Sequence, residues 1–567
     1  MHKSTDDLGC AVSALATPRA EVPISISDSH SLELKRIGTN SLILVVLTLV
    51  GQVTGLIRET TTAYFLGATG RADAYIAAFQ PIDIVTSALI LAVPFGLIPF
   101  LVNYRRRFGE AGSHWAIDRV QLGTACCFLV ISLFLYRRSE WIVHLTNPQL
   151  SGAQLEQAIQ LWHWMLPAIP MVSLTAFFIA QLIAEDRFFF PGANSIFLNL
   201  SIVIVPVFAW KFLGVKAFAL GVLLGSFLQL VTQGWAVLGR HRHRHSKIEG
   251  TKPSLWRDAA IIIVPVVLLY TLGGLNTLIP RRFASDLGEG SLAVFTYATR
   301  ASLPIYLLGV YAISYPYFST FARAVASGEI EQARRLLRSM LRSAVLFALP
   351  AMSAIIVLRE PLVRILFFRG AFDAQAAESV STTLAFLVPF VLGALLTDLL
   401  GRCLIAMGRT LAACGLYGVL LGLSWVLISG LHGFGGLNGV SAAWAFSLLA
   451  VAALFLVAVN YYLRGQAFRG IGESLWRALV SGMAAATIMA FSSYCLRLWL
   501  GIGMTGSMAN VVLTILAGSV VLISLARRLG VSEAMALVDA THTVGRRLRI
   551  WLWGRPTVPF VPGVDQD

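Results

Sequence analysis

The sequence predicts an all-α polytopic membrane protein with about 14 transmembrane helices. Hydrophobic residues make up 57% of its 567 residues, charged residues make up 13%, and the mean hydropathy is +0.74. Soluble domains carry about 25% charged residues. Most of the chain consists of apolar runs near the ~20 residues that a helix needs to cross a bilayer. The length therefore corresponds to a bundle of many spans rather than to several soluble domains.

An internal repeat indicates how these spans are grouped. The motif LIAEDR at 182–187, which closes the fourth span, matches LIAMGR at 404–409, which closes the tenth, at an offset of 222 residues. Tyr75 in the second span and Tyr297 in the eighth have the same offset. We therefore expect two pseudo-symmetric six-helix lobes in the same orientation, followed by two C-terminal helices. Parallel repeats of this kind are typical of transporters whose substrate site lies between the repeats.

These observations divide the chain into six segments. They are a disordered cytoplasmic tail (1–38), an N-terminal lobe of spans one to six (39–238), a basic cytoplasmic loop (239–257), a C-terminal lobe of spans seven to twelve (258–463), spans thirteen and fourteen (464–530) and a cytoplasmic C-terminal tail (531–567). The side with more lysine and arginine, including the runs at 105–107 and 240–247, is predicted to be cytoplasmic. An even number of spans then places both termini in the cytoplasm.

The charge and the motifs exclude several classes of function. The net charge of +15 does not indicate nucleic acid, because the basic residues lie in short loops at helix ends, where they set topology and meet anionic headgroups. The chain contains no Walker loop, no Gly-x-Ser-x-Gly and no His-Glu-x-x-His, so we predict neither an enzyme nor an ATP-driven pump. No cofactor or metal is expected, since the six cysteines lack metal-ligand spacing and the His-Arg run at 241–245 is interpreted as a solvated loop. Coupling to an ion or to the membrane potential stays open.

Charged side chains inside the predicted spans are the candidate functional residues. Each costs roughly 2.5–3.5 kcal/mol on insertion scales unless it faces water or a partner. They are Arg58, Glu59, Asp73 and Asp83 in the first half and Arg300, Asp398 and Arg402 in the second, with Arg281 and Arg282 at the end of the seventh span.

Arg300 lies near the start of the eighth predicted span, and Arg58 lies inside the first. Each half of the chain therefore directs a guanidinium at the interface between the halves. A guanidinium forks onto phosphate or carboxylate. A cationic cavity between the lobes therefore predicts an anionic substrate, such as a diphosphate headgroup. The alternative is that Arg58 pairs with Glu59 or Asp83 only to hold helices together.

Several stretches resemble a known family. GLIRE at 55–59 and FLGATGRADAYIAAF at 65–79 are similar to the first two spans of the MurJ/MviN lipid II flippases, which belong to the multidrug/oligosaccharidyl-lipid/polysaccharide exporter superfamily. LNT at 275–277, YATR at 297–300 and FFRGAF at 367–372 continue a resemblance that covers about 38–530.

The resemblance implies 14 helices in two lobes around a cavity that opens alternately to each side, with a groove for the lipid tail on the last two helices. It implies transport of an undecaprenyl-diphosphate-linked sugar across the bacterial inner membrane, from the cytoplasmic to the periplasmic leaflet. It also implies substrate-binding roles for Arg58, Glu59, Asp73 and Arg300. Asp83, Asp398 and Arg402 are our candidates for ion binding or gating.

At two places the chain is neutral where the family is cationic. Gln52 stands where the family has an arginine, and the segment TSALILAVPFG at 86–96 replaces a motif with an arginine pair. The cargo therefore stays open between lipid II and another lipid-linked saccharide, such as an exopolysaccharide or O-antigen unit. A drug/cation antiporter, a membrane glycosyltransferase or ligase, and a non-transporting scaffold for cell-envelope synthesis proteins are further alternatives.

Overall fold

The computed structural model describes residues 26–150, 152–185, 187–238, 255–465, 471–501 and 503–530. These residues form 17 α-helices and one π-helical turn, and they include no strand. The helices are α1 (Ile26–Leu66), α2 (Gly70–Arg137), α3 (Ser139–Thr146), α4 (Gly152–Met165), α5 (Ala168–Ala184), α6 (Phe189–Leu213), α7 (Lys216–Leu238), α8 (Leu255–Leu275), α9 (Leu278–Ser285), α10 (Ser291–Gly309), α11 (Tyr315–Ala326), α12 (Ile330–Phe367), α13 (Ala374–Leu387), α14 (Phe390–Ala406), α15 (Thr410–Tyr462), α16 (Ile471–Leu500) and α17 (Met504–Arg528), and the π-helical turn is Val310–Ser314.

The first helix begins at Ile26, earlier than the span start expected at residue 39. Residues 26–38 contain good helix formers and no proline, so this part of the tail expected to be disordered is helical. The remainder of that tail, the basic loop as far as residue 254 and the C-terminal tail from 531 lie outside the described residues.

The helices fit the predicted number of membrane passes when two conditions are met. A long helix that contains two passes is divided, and a pass that consists of two short helices is counted once. Ten described segments are long and apolar enough to cross a bilayer, or eleven when α13 and α14, bent by 47°, count as one span. The prediction of 14 passes assigns the three others to α1, to α10 with α11, and to the second half of α15. The 53 residues of α15 would extend about 80 Å as one helix, more than twice the hydrocarbon core. The chain turns instead at Gly436.

The 222-residue repeat is visible in the backbone. The first and last residues of α4 and α5 coincide at this offset with those of α13 and α14. Pro167 precedes α5 and Pro389 precedes α14, both with φ −61°. Gly214 turns the chain between α6 and α7 with φ 52° and ψ −132°, and Gly436 turns it inside α15 with φ 53° and ψ −137°. The two pseudo-symmetric lobes are therefore confirmed.

The repeated sequence motifs also close their helices in the same way. The backbone N–H of Arg187 donates to the Leu182 carbonyl at 2.8 Å, and that of Arg409 donates to the Leu404 carbonyl at 2.8 Å. LIAEDR and LIAMGR therefore end their helices with the same backbone hydrogen bond.

The lobes meet along α8, the first helix of the second lobe. Helices α1–α7 form the first lobe, α8–α15 form the second, and α16 and α17 pack on each other and on α12. α8 packs against both α2 and α15. A Cβ on Gly96 of α2 would lie 3.0 Å from the Cα of Ile263, so the two helices approach closely at this glycine. The polar residues described next lie in the space between the lobes.

Candidate functional site

A cavity of about 680 Å³ lies between the two lobes. Its wall is formed by α1, α2, α5, α6 and α7 on one side and by α8, α9, α10, α14 and α15 on the other. The charged residues in this wall are Arg58, Asp83, Arg281, Arg300, Asp398 and Arg402. The structure thus brings predicted residues from both halves of the chain around one space.

Arg58 of α1 and Arg300 of α10 meet at Glu59. Arg58 Nη2 donates a hydrogen bond of 2.6 Å to Glu59 Oε1, and Arg300 Nε lies 3.3 Å from the same oxygen. Arg300 Nη2 also donates to Asp83 Oδ2 at 3.5 Å. Arg58 and Glu59 are only 7% and 8% exposed, where an unpaired charge would be costly. Two guanidiniums and two carboxylates therefore form one ion-pair cluster across the lobe interface.

Arg58 is also oriented by its own lobe. Its Nη1 donates to Asn199 Oδ1 at 3.0 Å, and Asn199 Nδ2 donates to the Gly51 carbonyl at 3.1 Å. The guanidinium lies 5.6 Å from the centre of the Phe79 ring, within cation–π range. Asn199 was not among the residues predicted from the sequence. It is one of two asparagines in the largely apolar α6, and an amide in such a helix is the signal that could have identified it.

Asp398 and Arg402, one turn apart on α14, pair with each other. Arg402 Nε and Nη2 donate to the two carboxylate oxygens at 2.9 and 3.1 Å, a bidentate arrangement. Ser314 Oγ, in the π-helical turn, donates to Asp398 at 3.1 Å. Arg402 is therefore the cationic partner of the Asp398 carboxylate. Separately, in the described part of the chain, no three His, Cys, Asp or Glu side chains are grouped to hold a metal ion.

Asp73, predicted to bind substrate, lies outside the cavity wall. Its Oδ2 accepts from the Gly290 N–H at 2.6 Å and its Oδ1 from the Ala293 N–H at 2.8 Å, so it caps the N-terminus of α10. Glu289 in turn accepts from the Gly70 N–H at 2.9 Å, at the N-terminus of α2. Each lobe therefore caps a helix of the other, and the backbone of the second lobe occupies both Asp73 oxygens.

Further contacts close the same end of the bundle. The Tyr297 hydroxyl donates to the Gly67 carbonyl at 2.9 Å, and the Ala371 N–H donates to the Tyr64 carbonyl at 2.9 Å. Gly290 has φ +82°, and a Cβ there would lie 2.4 Å from the Ala68 carbonyl oxygen. We call this end, where the α1–α2 turn meets the α9–α10 turn, the cross-capped end.

The neutral departures from the family pattern face the cavity. Gln52 lines its wall, and so do Thr86, Ser87, Ile90 and Leu91 of the segment 86–96. These residues therefore give this part of the first-lobe wall no charge.

Comparison with known proteins places the chain in a family. A family model described as lipid II flippase MurJ matches residues 62–522. The lipid II flippase MurJ of Burkholderia cenocepacia is 27% identical over 352 residues, which are 60% of this chain and 67% of that protein. A Rhizobium meliloti relative, also 27% identical, is covered over 64% of its length. A MurJ relative from Synechocystis sp. is 24% identical over 89% of this chain and 96% of its own length.

Solved structures show the same fold. "Lipid II flippase MurJ, inward closed conformation" matches with a TM-score of 0.73 and 18% identity, over 86% of this chain and 99% of that one. An inward-facing multidrug resistance MATE family transporter of the MOP superfamily matches with a TM-score of 0.62 and 13% identity, over 76% and 99%. Because the family model matches most of the chain and the fold agrees, this multipass protein of the bacterial inner membrane belongs to the lipid II flippase MurJ family.

Proposed function

We propose that the protein is a flippase that moves a polyprenyl-diphosphate-linked saccharide, lipid II or a related lipid-linked sugar, from the cytoplasmic to the periplasmic leaflet. Membership of the MurJ family and the name of its Burkholderia relative support this reading. The two lobes would rock about the cavity by alternating access, as parallel-repeat transporters do. Both termini would lie in the cytoplasm, and the cross-capped end would face the periplasm.

The observation that carries the proposal is the ion-pair cluster in the cavity. Arg58 and Arg300 come from different lobes and share one carboxylate, Glu59. A diphosphate offers each guanidinium the same bidentate geometry as a carboxylate and more negative charge. It would therefore compete with Glu59 and Asp83 and so couple both lobes to one headgroup. The sugar would occupy the cavity while the lipid tail stays in the bilayer.

The remaining charged residues would serve gating. Asp83 and the Asp398–Arg402 pair line the cavity without belonging to the Arg58–Glu59 contact. Asp73 would hold the periplasmic end closed through its cap on α10. The energy could come from an ion or from the membrane potential, since each charge moved across the membrane is worth about 2.3 kcal/mol per 100 mV. Cell-envelope synthesis proteins would be the partners that supply and consume the cargo.

Replacing the lipid II flippase of a depletion strain with this chain tests the proposal. We expect the wild-type chain to restore growth, and Arg58→Ala and Arg300→Ala to abolish rescue at equal membrane levels. Arg364→Ala removes a charge from α12 outside the cavity wall and should rescue like wild type.

Two outcomes would change the assignment. Absence of rescue, together with loss of an exopolysaccharide in a strain that lacks this chain, would move the cargo to the exopolysaccharide branch. Full rescue by both arginine variants would contradict the role of the cluster. Export of cationic drugs, abolished when Glu59 is replaced, would instead favour an antiporter.

A further inference from the structure

Arg281 differs from the other arginines of the cavity. Three of the four arginines in the wall form an ion pair with a carboxylate. They are Arg58, Arg300 and Arg402. Arg281 of α9 is the fourth, and no carboxylate in the described part of the chain forms an ion pair with it.

The surroundings of Arg281 leave donors unused. The residue is 5% exposed, its Nη1 donates to the Thr277 carbonyl one turn earlier at 2.7 Å, and its Nε has no hydrogen-bond partner. A buried cation without a counter-ion destabilises a protein by several kcal/mol. A bound anion would supply the missing partner.

The next residue shows that this arrangement is specific to Arg281. The Arg282 guanidinium lies outside the cavity wall, donates to the Leu145 carbonyl at 2.6 Å and lies 5.4 Å from the centre of the Trp425 ring. Arg282 therefore has one partner in each lobe, Leu145 and Trp425, whereas Arg281 faces the cavity.

The charge balance of the cavity depends on Arg281. The four arginines face Asp83 and Asp398 in the wall and Glu59 beside it. Four positive and three negative charges leave an excess of one, and Arg281 is the cation that forms no ion pair with a described carboxylate. This excess would attract an anion into a site whose other cations are already neutralised.

We propose that Arg281 is the first phosphate-binding side chain of the cavity, engaging the diphosphate of the cargo before Arg58 and Arg300 exchange their carboxylates for it. The inference rests on the proposed function. It also assigns a cation to a cavity in which Gln52 and the segment 86–96 are neutral. Free pyrophosphate has the same chemistry as the lipid-linked diphosphate, so both must be tested.

Ligand binding to the purified full chain in nanodiscs tests this assignment. Undecaprenyl diphosphate, undecaprenol and inorganic pyrophosphate are titrated into wild type, Arg281→Gln, Arg281→Lys and the charge-loss control Arg364→Gln. We expect Arg281→Gln to bind the diphosphate about 10- to 100-fold more weakly, the range for a lost charge-assisted hydrogen bond, and undecaprenol as wild type does. Arg281→Lys should lose less, and Arg364→Gln nothing. Tighter binding of the lipid than of pyrophosphate identifies the lipid as the ligand.

Thermal unfolding of the ligand-free variants gives a second readout. Removing an unpartnered buried cation should leave the midpoint of Arg281→Gln equal to or above that of wild type, whereas a merely structural arginine would lower it. Wild-type affinity of Arg281→Gln for the diphosphate would overturn this assignment and leave the flippase proposal intact. Equal affinity of wild type for undecaprenyl diphosphate and undecaprenol would overturn the proposed function itself.

Discussion

At the scale of single residues, Glu59 sets the geometry of the cavity. Its Oε1 lies 2.6 Å from Arg58 Nη2 and 3.3 Å from Arg300 Nε, so one carboxylate holds guanidiniums of both lobes. Removing one partner of a buried ion pair leaves the others without compensation.

Glu59→Gln should therefore destabilise the ligand-free protein by about 3 kcal/mol, measured as a lower thermal midpoint in detergent. Glu331→Gln is the matched control, because Glu331 pairs with Arg334 and Arg338 but its side chain is 60% exposed, and exposed pairs contribute ~1 kcal/mol or less. Combining Glu59→Gln with Arg58→Gln should destabilise less than the sum of the two changes. Equal midpoints for the Glu59 and Glu331 variants would show that the cluster does not stabilise the fold.

At the scale of helices, the two glycine turns define the repeat. Gly214 and Gly436 adopt nearly the same backbone angles, with positive φ and ψ near −135°, which is accessible in practice only to glycine. These turns reverse the chain after the fifth and the eleventh pass.

Gly436→Ala should destabilise the protein by roughly 1–3 kcal/mol, the strain of placing a side chain in this conformation. Gly418→Ala, in the same long helix with open space around it, should be neutral or stabilising by up to about 1 kcal/mol. Thermal unfolding of both variants in one detergent provides the comparison. A Gly436→Ala variant as stable as Gly418→Ala would mean that the turn tolerates an alternative conformation.

At the scale of the whole molecule, the cross-capped end couples the lobes. Asp73 and Glu289 each accept hydrogen bonds from helix N-termini of the opposite lobe, and these bonds must break if the lobes separate there. Because both caps are short-range contacts, separation is expected to be all or none at this end.

Asp73→Ala should raise the exposure of the cross-capped end about fivefold, the shift expected from losing a cap worth ~1 kcal/mol. The readout is labelling of Val294→Cys by a membrane-impermeant thiol reagent, in a background without the native cysteines, since Val294 is 7% exposed beside this end. Asp373→Ala is the control, because Asp373 caps α13 within one lobe through the Ala376 N–H. Unchanged labelling in Asp73→Ala would show that the cap does not hold the lobes together.

Much of this architecture could be predicted from the sequence. Apolar runs and the 222-residue offset predicted two lobes and about 14 passes, because the bilayer forces backbone groups into helices of a fixed length. The prolines at 167 and 389 marked helix breaks that the structure contains. The short helix α3 was not predicted, because its eight residues are too few to form an apolar run that could cross a bilayer.

The composition, the repeat and the intramembrane arginines by themselves determined that the chain is a two-lobed membrane protein with charges at the lobe interface. The tertiary structure decided what each charge contacts. Asp73, predicted to bind substrate, accepts hydrogen bonds from the backbone of α10 at both of its oxygens. Arg281 and Arg282 are equivalent in sequence, but neighbouring side chains on a helix point about 100° apart, so only one of them lines the cavity. Which one does so depends on helices far away in the chain, and no local pattern records their position.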